Sequence, residues 1–246
     1  FNLNDVETSA SKSGNGYVLS GHKAVVYHGG CADKIIVSAR TSGNSRDADG
    51  ISLFIVDKAA SGLEIRSYRT VDGQQAADIT LSNVTVGADA LLGTEGGAAP
   101  VIEKVVDTAI GALCAEAVGA MAAANEITNE YIKERKQFGV AIGKFQVLQH
   151  RMVDMYMEAE QSKSMSDMVA MKLDLGYEVD TKKAVSATKA QIGKAAKFVG
   201  QQSVQLHGGM GMTDEYSIGH YFKRLSTIEM LFGNTDYHLN RFSNLS

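Results

Sequence analysis

The sequence predicts an α+β protein, an antiparallel β-domain followed by an up-and-down four-helix bundle. Two observations carry that reading. From Phe1 to about Leu92 the chain consists of short Val- and Ile-rich runs separated by turn pairs such as Ser13-Gly14, Asp49-Gly50 and Asp72-Gly73. Runs of this kind, with no helical pattern between them, read as strands of a sandwich or barrel-like sheet. The single proline among 246 residues, Pro100, then follows the glycine-rich stretch Gly93-Thr94-Glu95-Gly96-Gly97 and marks a change of period. Proline suits the first turn of a helix, where its missing N–H is not needed.

In order, strands are expected at Tyr17-Val18-Leu19, Ala24 to Tyr27, Lys34 to Ala39, Ile51 to Val56, Leu63 to Tyr68 and Ala77 to Val86. Helices are expected from Pro100 to about Arg135, from about Phe145 to Leu175 with Gly176 as C-terminal cap, from Thr181 to Leu206, from Glu215 to Leu231, and after Asn234. Long helices with short connections form a bundle. The domains are therefore residues 1–97 and 98–246, with strands ending near residue 92 and only helix beyond about residue 100.

Composition excludes several classes. Hydrophobic residues at 44% and charged residues at 21% are globular values, which rules out a disordered chain. A formal charge of −4 provides no basic field for nucleic acid. No apolar run approaches the roughly 18 residues of a bilayer span, so no membrane span is expected. Cys31 and Cys114 lie far apart, which fits a reducing cytoplasm, and neither has a basic neighbour to favour a thiolate. The chain opens at Phe1 without an initiator Met and reads as a piece of a longer protein. Neither a CxxC nor an HExxH nor ligand-spaced His occurs, so no metal site is expected, and GxSxG and Walker motifs are missing too.

Two stretches remain unusual. The first is Glu134-Arg135-Lys136-Gln137-Phe138-Gly139 with Phe145-Gln146 after it. Basic residues at a helix C-terminus offset its dipole, and Gly139 can end the helix. Alternatively, Arg135 with neighbouring amides clamps a phosphate bidentately. The second is Gln205-Leu206-His207-Gly208-Gly209-Met210-Gly211. Its glycines either stop a helix or leave backbone N–H groups bare for a close-lying phosphate or adenine.

Together these stretches resemble the two signatures of the acyl-CoA dehydrogenase family, and Gly16-Tyr17-Val18-Leu19-Ser20-Gly21-His22-Lys23 resembles the opening of that family's middle β-domain. The resemblance runs through nearly the whole chain and implies that an N-terminal helical domain precedes it in the full protein. It implies oxidation of acyl-CoA thioesters to trans-2-enoyl-CoA on FAD, with electrons passing to an electron-transfer flavoprotein. By motif, Arg135 and Phe138 would meet the FAD of a neighbouring subunit. Gln146 belongs to the same patch, and Gln205, Gly208 and Gly209 to the adenine-side loop.

The departures matter as much. Counting from Gln205, the family's base Glu falls on Phe232, or by a slip of one on Gly233; the minority position on the first bundle helix falls on Ala109 and Ile110. None of these takes a proton. Val25 and Tyr27 stand where the family has the Trp and Thr that flank the flavin. With Gly219-His220-Tyr221-Phe222-Lys223-Arg224-Leu225, these changes resemble small subunits of heteromeric bacterial enzymes of the pimeloyl-CoA and steroid-side-chain type, implying a heterotetramer whose partner chain supplies the base. Two alternatives stay open: a homomeric enzyme using Glu229 or Asp236, and a non-catalytic scaffold that holds half of the FAD sites. Elsewhere, the second-helix methionines (Met152, Met155, Met157, Met165, Met168, Met171) read as core packing. Glu116 is either an outward charge or a buried carboxylate.

Overall fold

The computed structural model describes residues 1–245. The chain divides into two compact units, Asn2–Val105 and Val106–Ser246 with Phe1.

The first unit is a seven-stranded sheet of β1 (Ser9–Ser13), β2 (Gly16–Tyr27), β3 (Lys34–Arg40), β4 (Ile51–Asp57), β5 (Leu63–Arg69), β6 (Gln75–Gly87) and β7 (Leu91–Leu92). Its order is β5-β6-β2-β1-β3-β4-β7. The strands pair antiparallel, apart from the parallel pairing of Ser9 with Arg40 and a parallel bridge between Ile51 and Gly97. Alternation sets the buried face, with Ile35, Val37 and Ala39 on β3 and Ala77, Ile79 and Leu81 on β6 inside, while Ile36 stays exposed. The two short strands expected before residue 28 are one strand, β2, broken in register near Gly21 and Val25 by bulges. Near the parallel pairing, buried Arg40 donates to the carbonyls of Asn4, Val6, Ser45, Asp47 and Asp49. It thereby fixes both the chain before β1 and the loop before β4.

The helices are α1 (Ala99–Glu134), α2 (Gln146–Leu175), α3 (Val179–His207), α4 (Ile218–Met230) and α5 (Thr235–Asn244). The first turns of α1 group with the sheet, where Ala98, Ala99 and Ile102 pack with Val6 and Ile51. Further along α1, Asp107, Ile110, Cys114, Ala117, Met121, Ala124, Thr128 and Ile132 form one buried stripe at spacings of three and four. The helix α3 is buried on most of its circumference and packs against α2, α4 and α5.

Four expectations need correction. Helix does not fill everything beyond residue 100: β8 (Lys136–Gln137) and β9 (Val140–Ala141) make a small antiparallel hairpin, too short to leave a periodic signal. A span-length apolar segment exists after all, because an 18-residue window in α1 reaches a mean hydropathy of 1.5. Isolated charges break any strict run there, yet the average stays high. The helix packs its buried stripe into the bundle core. Met157 and Met171 are exposed rather than core. Cys114 does have a basic neighbour, Lys189, but burial dominates and pushes its thiol up to about 12. Glu116 is an outward charge, gripped by Arg224 at 2.6 and 2.8 Å.

Candidate functional site

At the end of α1 the chain leaves the helix at Arg135, whose carbonyl accepts from the Ile142 amide at 2.8 Å across the base of the hairpin. The hairpin turn is Phe138-Gly139, both in the left-handed region at φ 54° and 79°. A two-residue turn of that kind favours Asn-Gly, and a phenylalanine there costs about 1–2 kcal/mol. Phe138 is also 90% exposed, with its ring edge-on to that of Phe145 at 6.2 Å ring separation. Arg135 is exposed, and among the described residues no carboxylate pairs with its guanidinium. Gln146, exposed as well, opens α2 next to these groups. Behind the hairpin lies a cavity of about 460 Å³ lined in part by Asn129, Lys133, Gly143 and Lys144.

The glycine loop follows α3. Gly208 takes φ 57° and ψ −139°, which a side chain resists. Around both Gly208 and Gly209 an added Cβ would meet nothing within 4 Å. Nothing inside the described chain therefore crowds Gly209, and its bare backbone faces open space beside exposed Gln205. The two stretches are brought to one end of the helical unit by a contact the sequence did not announce. Tyr131 stacks on His207 at 4.3 Å and donates its hydroxyl to the His207 carbonyl at 3.3 Å. His207 is buried, gives its Nδ1–H to the Ser203 carbonyl at 2.7 Å, and leaves Nε2 without a partner. Burial lowers its pKa, keeping the ring neutral between Tyr131 and Tyr216. The end of α1 thus offers a free guanidinium, and the end of α3 offers uncovered backbone.

The α4–α5 corner holds the positions expected for a base. Phe232 adopts φ 54° and is 42% exposed, followed by Gly233 at φ 109°. Asn234 caps α5 by accepting from the Tyr237 amide at 3.0 Å. The Glu229 carboxylate accepts from the Thr235 amide at 3.0 Å and so acts as a second cap. Asp236 is exposed in the first turn of α5, where the helix dipole favours a negative charge. Ile110 is fully buried and Ala109 half-buried on α1. In the sheet unit, Val25 sits at a β2 bulge with φ 52° and half its surface exposed, a strained setting for a β-branched residue. Among the described residues no group of His, Cys, Asp or Glu is arranged to hold a metal ion.

Family models match both parts of the sequence: the acyl-CoA dehydrogenase middle domain over residues 1–84 and the acyl-CoA dehydrogenase C-terminal domain over residues 99–244. The chain belongs to the acyl-CoA dehydrogenase family. It is 30% identical over 235 residues to the short-chain-specific acyl-CoA dehydrogenase of Clostridium acetobutylicum, covering 94% of this chain and 61% of that protein. Among solved structures it is similar to the FAD complex of PigA (TM-score 0.90, 25% identity, 98% of this chain and 63% of that one). It is also similar to a variant of the Tcur3481-Tcur3483 steroid ACAD (TM-score 0.84, 32% identity, 99% of this chain and 63% of that one). The chain thus spans less than two thirds of the length of these relatives. Members of this family are oxidoreductases, and the sheet followed by bundle helices is the family fold.

Proposed function

We propose that this chain is the flavin-binding part of an FAD-dependent acyl-CoA dehydrogenase that converts acyl-CoA to trans-2-enoyl-CoA, in two domains at residues 1–97 and 98–246. Within that enzyme it serves as the small subunit of a heteromeric assembly, a heterotetramer, and electrons leave to an electron-transfer flavoprotein. The residues at the two helix ends suit the cofactor. The unpaired Arg135 guanidinium would clamp the pyrophosphate, the outward Phe138 would lie against the dinucleotide, and Gln146 would bond to it. Gln205 and the uncovered backbone of Gly208 and Gly209 would take the adenine side. FAD, when bound, supplies the acceptor for the hydride from the substrate β-carbon.

One observation carries the subunit assignment. Position 232 bears a phenylalanine, and the nearest carboxylate before it, Glu229, is engaged by the Thr235 amide. A thioester α-proton needs a positioned base, which commonly contributes about 10²–10⁴-fold in rate. In this reading that base is a carboxylate of the partner chain. The double designation of the steroid ACAD accords with two chains. A cytoplasmic setting accords with two free cysteines.

The test is an anaerobic titration of the full-length protein with acyl-CoA, with and without its partner chain. FAD is expected to stay bound in both samples and to lose its visible absorbance only with the partner present. Bleaching of equal rate and extent without the partner overturns the subunit assignment. A protein that holds no FAD in either sample overturns the cofactor assignment.

A further inference from the structure

We infer that Lys189 is a positioning residue, whose ammonium fixes the α4–α5 corner and so sets where residue 232 stands. The starting observation is a lysine with no exposed surface. Its Nζ donates to the Glu229 carbonyl at 2.9 Å and to the Gly233 carbonyl at 2.7 Å. The Glu229 carbonyl is among the last of α4, where the helix has no partner of its own to offer and the dipole is negative. Gly233 is the residue before the cap of α5. One ammonium on α3 therefore joins the end of one helix to the start of the next and fixes the length of the link between them.

Other contacts brace the same link. His238 gives its Nε2–H to the Phe232 carbonyl at 3.1 Å, and the Glu229 carboxylate holds the Thr235 amide. One turn beyond Lys189, Gly193 lets the corner lie directly on α3, for a Cβ there would stand 2.4 Å from Thr235 Oγ1. The carbonyls of Glu229, Phe232 and Gly233 are all bonded from beneath, so the Phe232 side chain is displayed on a corner whose backbone has little freedom. A buried charge is costly, and an apolar isostere at such a place is often tolerated by the fold. A lysine used only to fill space would be replaceable without consequence at the corner.

The titratable groups facing Lys189 are the Cys114 thiol from α1, the Glu229 carboxylate from α4 and the His238 imidazole from α5. Burial is the main cause that brings the Lys189 pKa down to about 8. Cys114 is held near 12, and His238 is held near 4 chiefly by burial. Neither changes charge between pH 7 and 9. A corner set by the Lys189 charge therefore carries a titration near pH 8.

The inference rests on the reading of position 232 as the base position, but its test needs neither flavin nor substrate. Hydrogen exchange is followed in the full-length protein and in Lys189→Met, and a Phe232→Trp reporter is titrated in both backgrounds. In Lys189→Met, amides of residues 233–238 are expected to exchange roughly ten- to a hundred-fold faster, the loss of a charge-assisted hydrogen bond, while those of residues 155–169 are unchanged. The reporter emission is expected to shift near pH 8 with Lys189 and not with Met. Unchanged corner exchange in a folded Lys189→Met overturns the inference, and so does a reporter titration that survives the substitution. If Lys189→Met does not fold, Lys189→Gln is put through the same exchange measurement: faster exchange at residues 233–238 supports the inference and unchanged exchange there overturns it.

Discussion

Two corners of the helical unit share a local conformation and differ in what holds them. Phe138-Gly139 and Phe232-Gly233 both place phenylalanine at φ 54° ahead of a positive-φ glycine. Beneath Phe232 the carbonyls of Glu229, Phe232 and Gly233 are bonded by Lys189 and His238. Beyond His238 the support continues: Arg241 grips Asp107 with two 2.7 Å bonds and reaches Ser186, and Tyr177 donates to the same carboxylate. Phe138 has a hairpin of two residue pairs and one ring contact. The difference shows where each strain is offset. At the α4–α5 corner the packed interior compensates; at the hairpin the ring is 90% exposed, and in the proposed reading the cofactor contact would compensate.

Removing the anchor of the braced corner has the largest expected effect. Arg241→Ala leaves Asp107, 1% exposed, as a buried carboxylate stripped of its guanidinium and still hydrogen-bonded by Tyr177. A loss of about 3–5 kcal/mol is expected in urea denaturation. Acid acts on the same brace. His238, buried and held near 4 instead of its ordinary 6.5, takes up its proton in the folded state only far below the unfolded value. Between those values the unfolded chain binds more protons, so stability is full above about pH 6.5 and falls as pH drops toward 4. The loss is on the order of 2–3 kcal/mol, and His238→Gln should flatten that part of the stability profile.

The unbraced corner is expected to respond in ligand binding instead. Arg135→Ala removes a charge-assisted phosphate contact, about 1.5–3 kcal/mol or a ten- to hundred-fold loss of FAD affinity. The apoprotein is expected to melt at nearly its original temperature. A much lower melting temperature with FAD affinity intact would make Arg135 a helix cap. The smallest effect belongs to Phe138→Asn, which relieves the left-handed strain and is expected to raise apoprotein stability by about 1 kcal/mol while weakening FAD binding.

The contrast also explains what the sequence made legible. Strands β3 to β6 stand out by alternation, and α1 and α2 by uninterrupted length. Strand β1 does not, because Ser9–Ser13 buries one residue, Ala10. The start of α4 at Ile218 rather than Glu215 follows from a 3₁₀ segment at Gly208–Met212 and the turn after it. Arg135, Phe138 and the glycine loop are legible because their spacing is local. Lys189, Arg40 and His207 are not, because each bonds to main-chain carbonyls that carry no residue-type signal. The tie between Tyr131 and His207 is likewise invisible, since 76 positions separate them.

The central claim is that this chain presents flavin contacts but no base at its braced corner. It is tested most directly by the rate of anaerobic flavin reduction by acyl-CoA in the protein without its partner, in Phe232→Glu and in Glu229→Gln. The account predicts negligible reduction in the unmodified protein and in Glu229→Gln, with a gain of at least about 10²-fold in Phe232→Glu. Rapid reduction by the unmodified protein that Glu229→Gln abolishes would contradict it and make Glu229 the base.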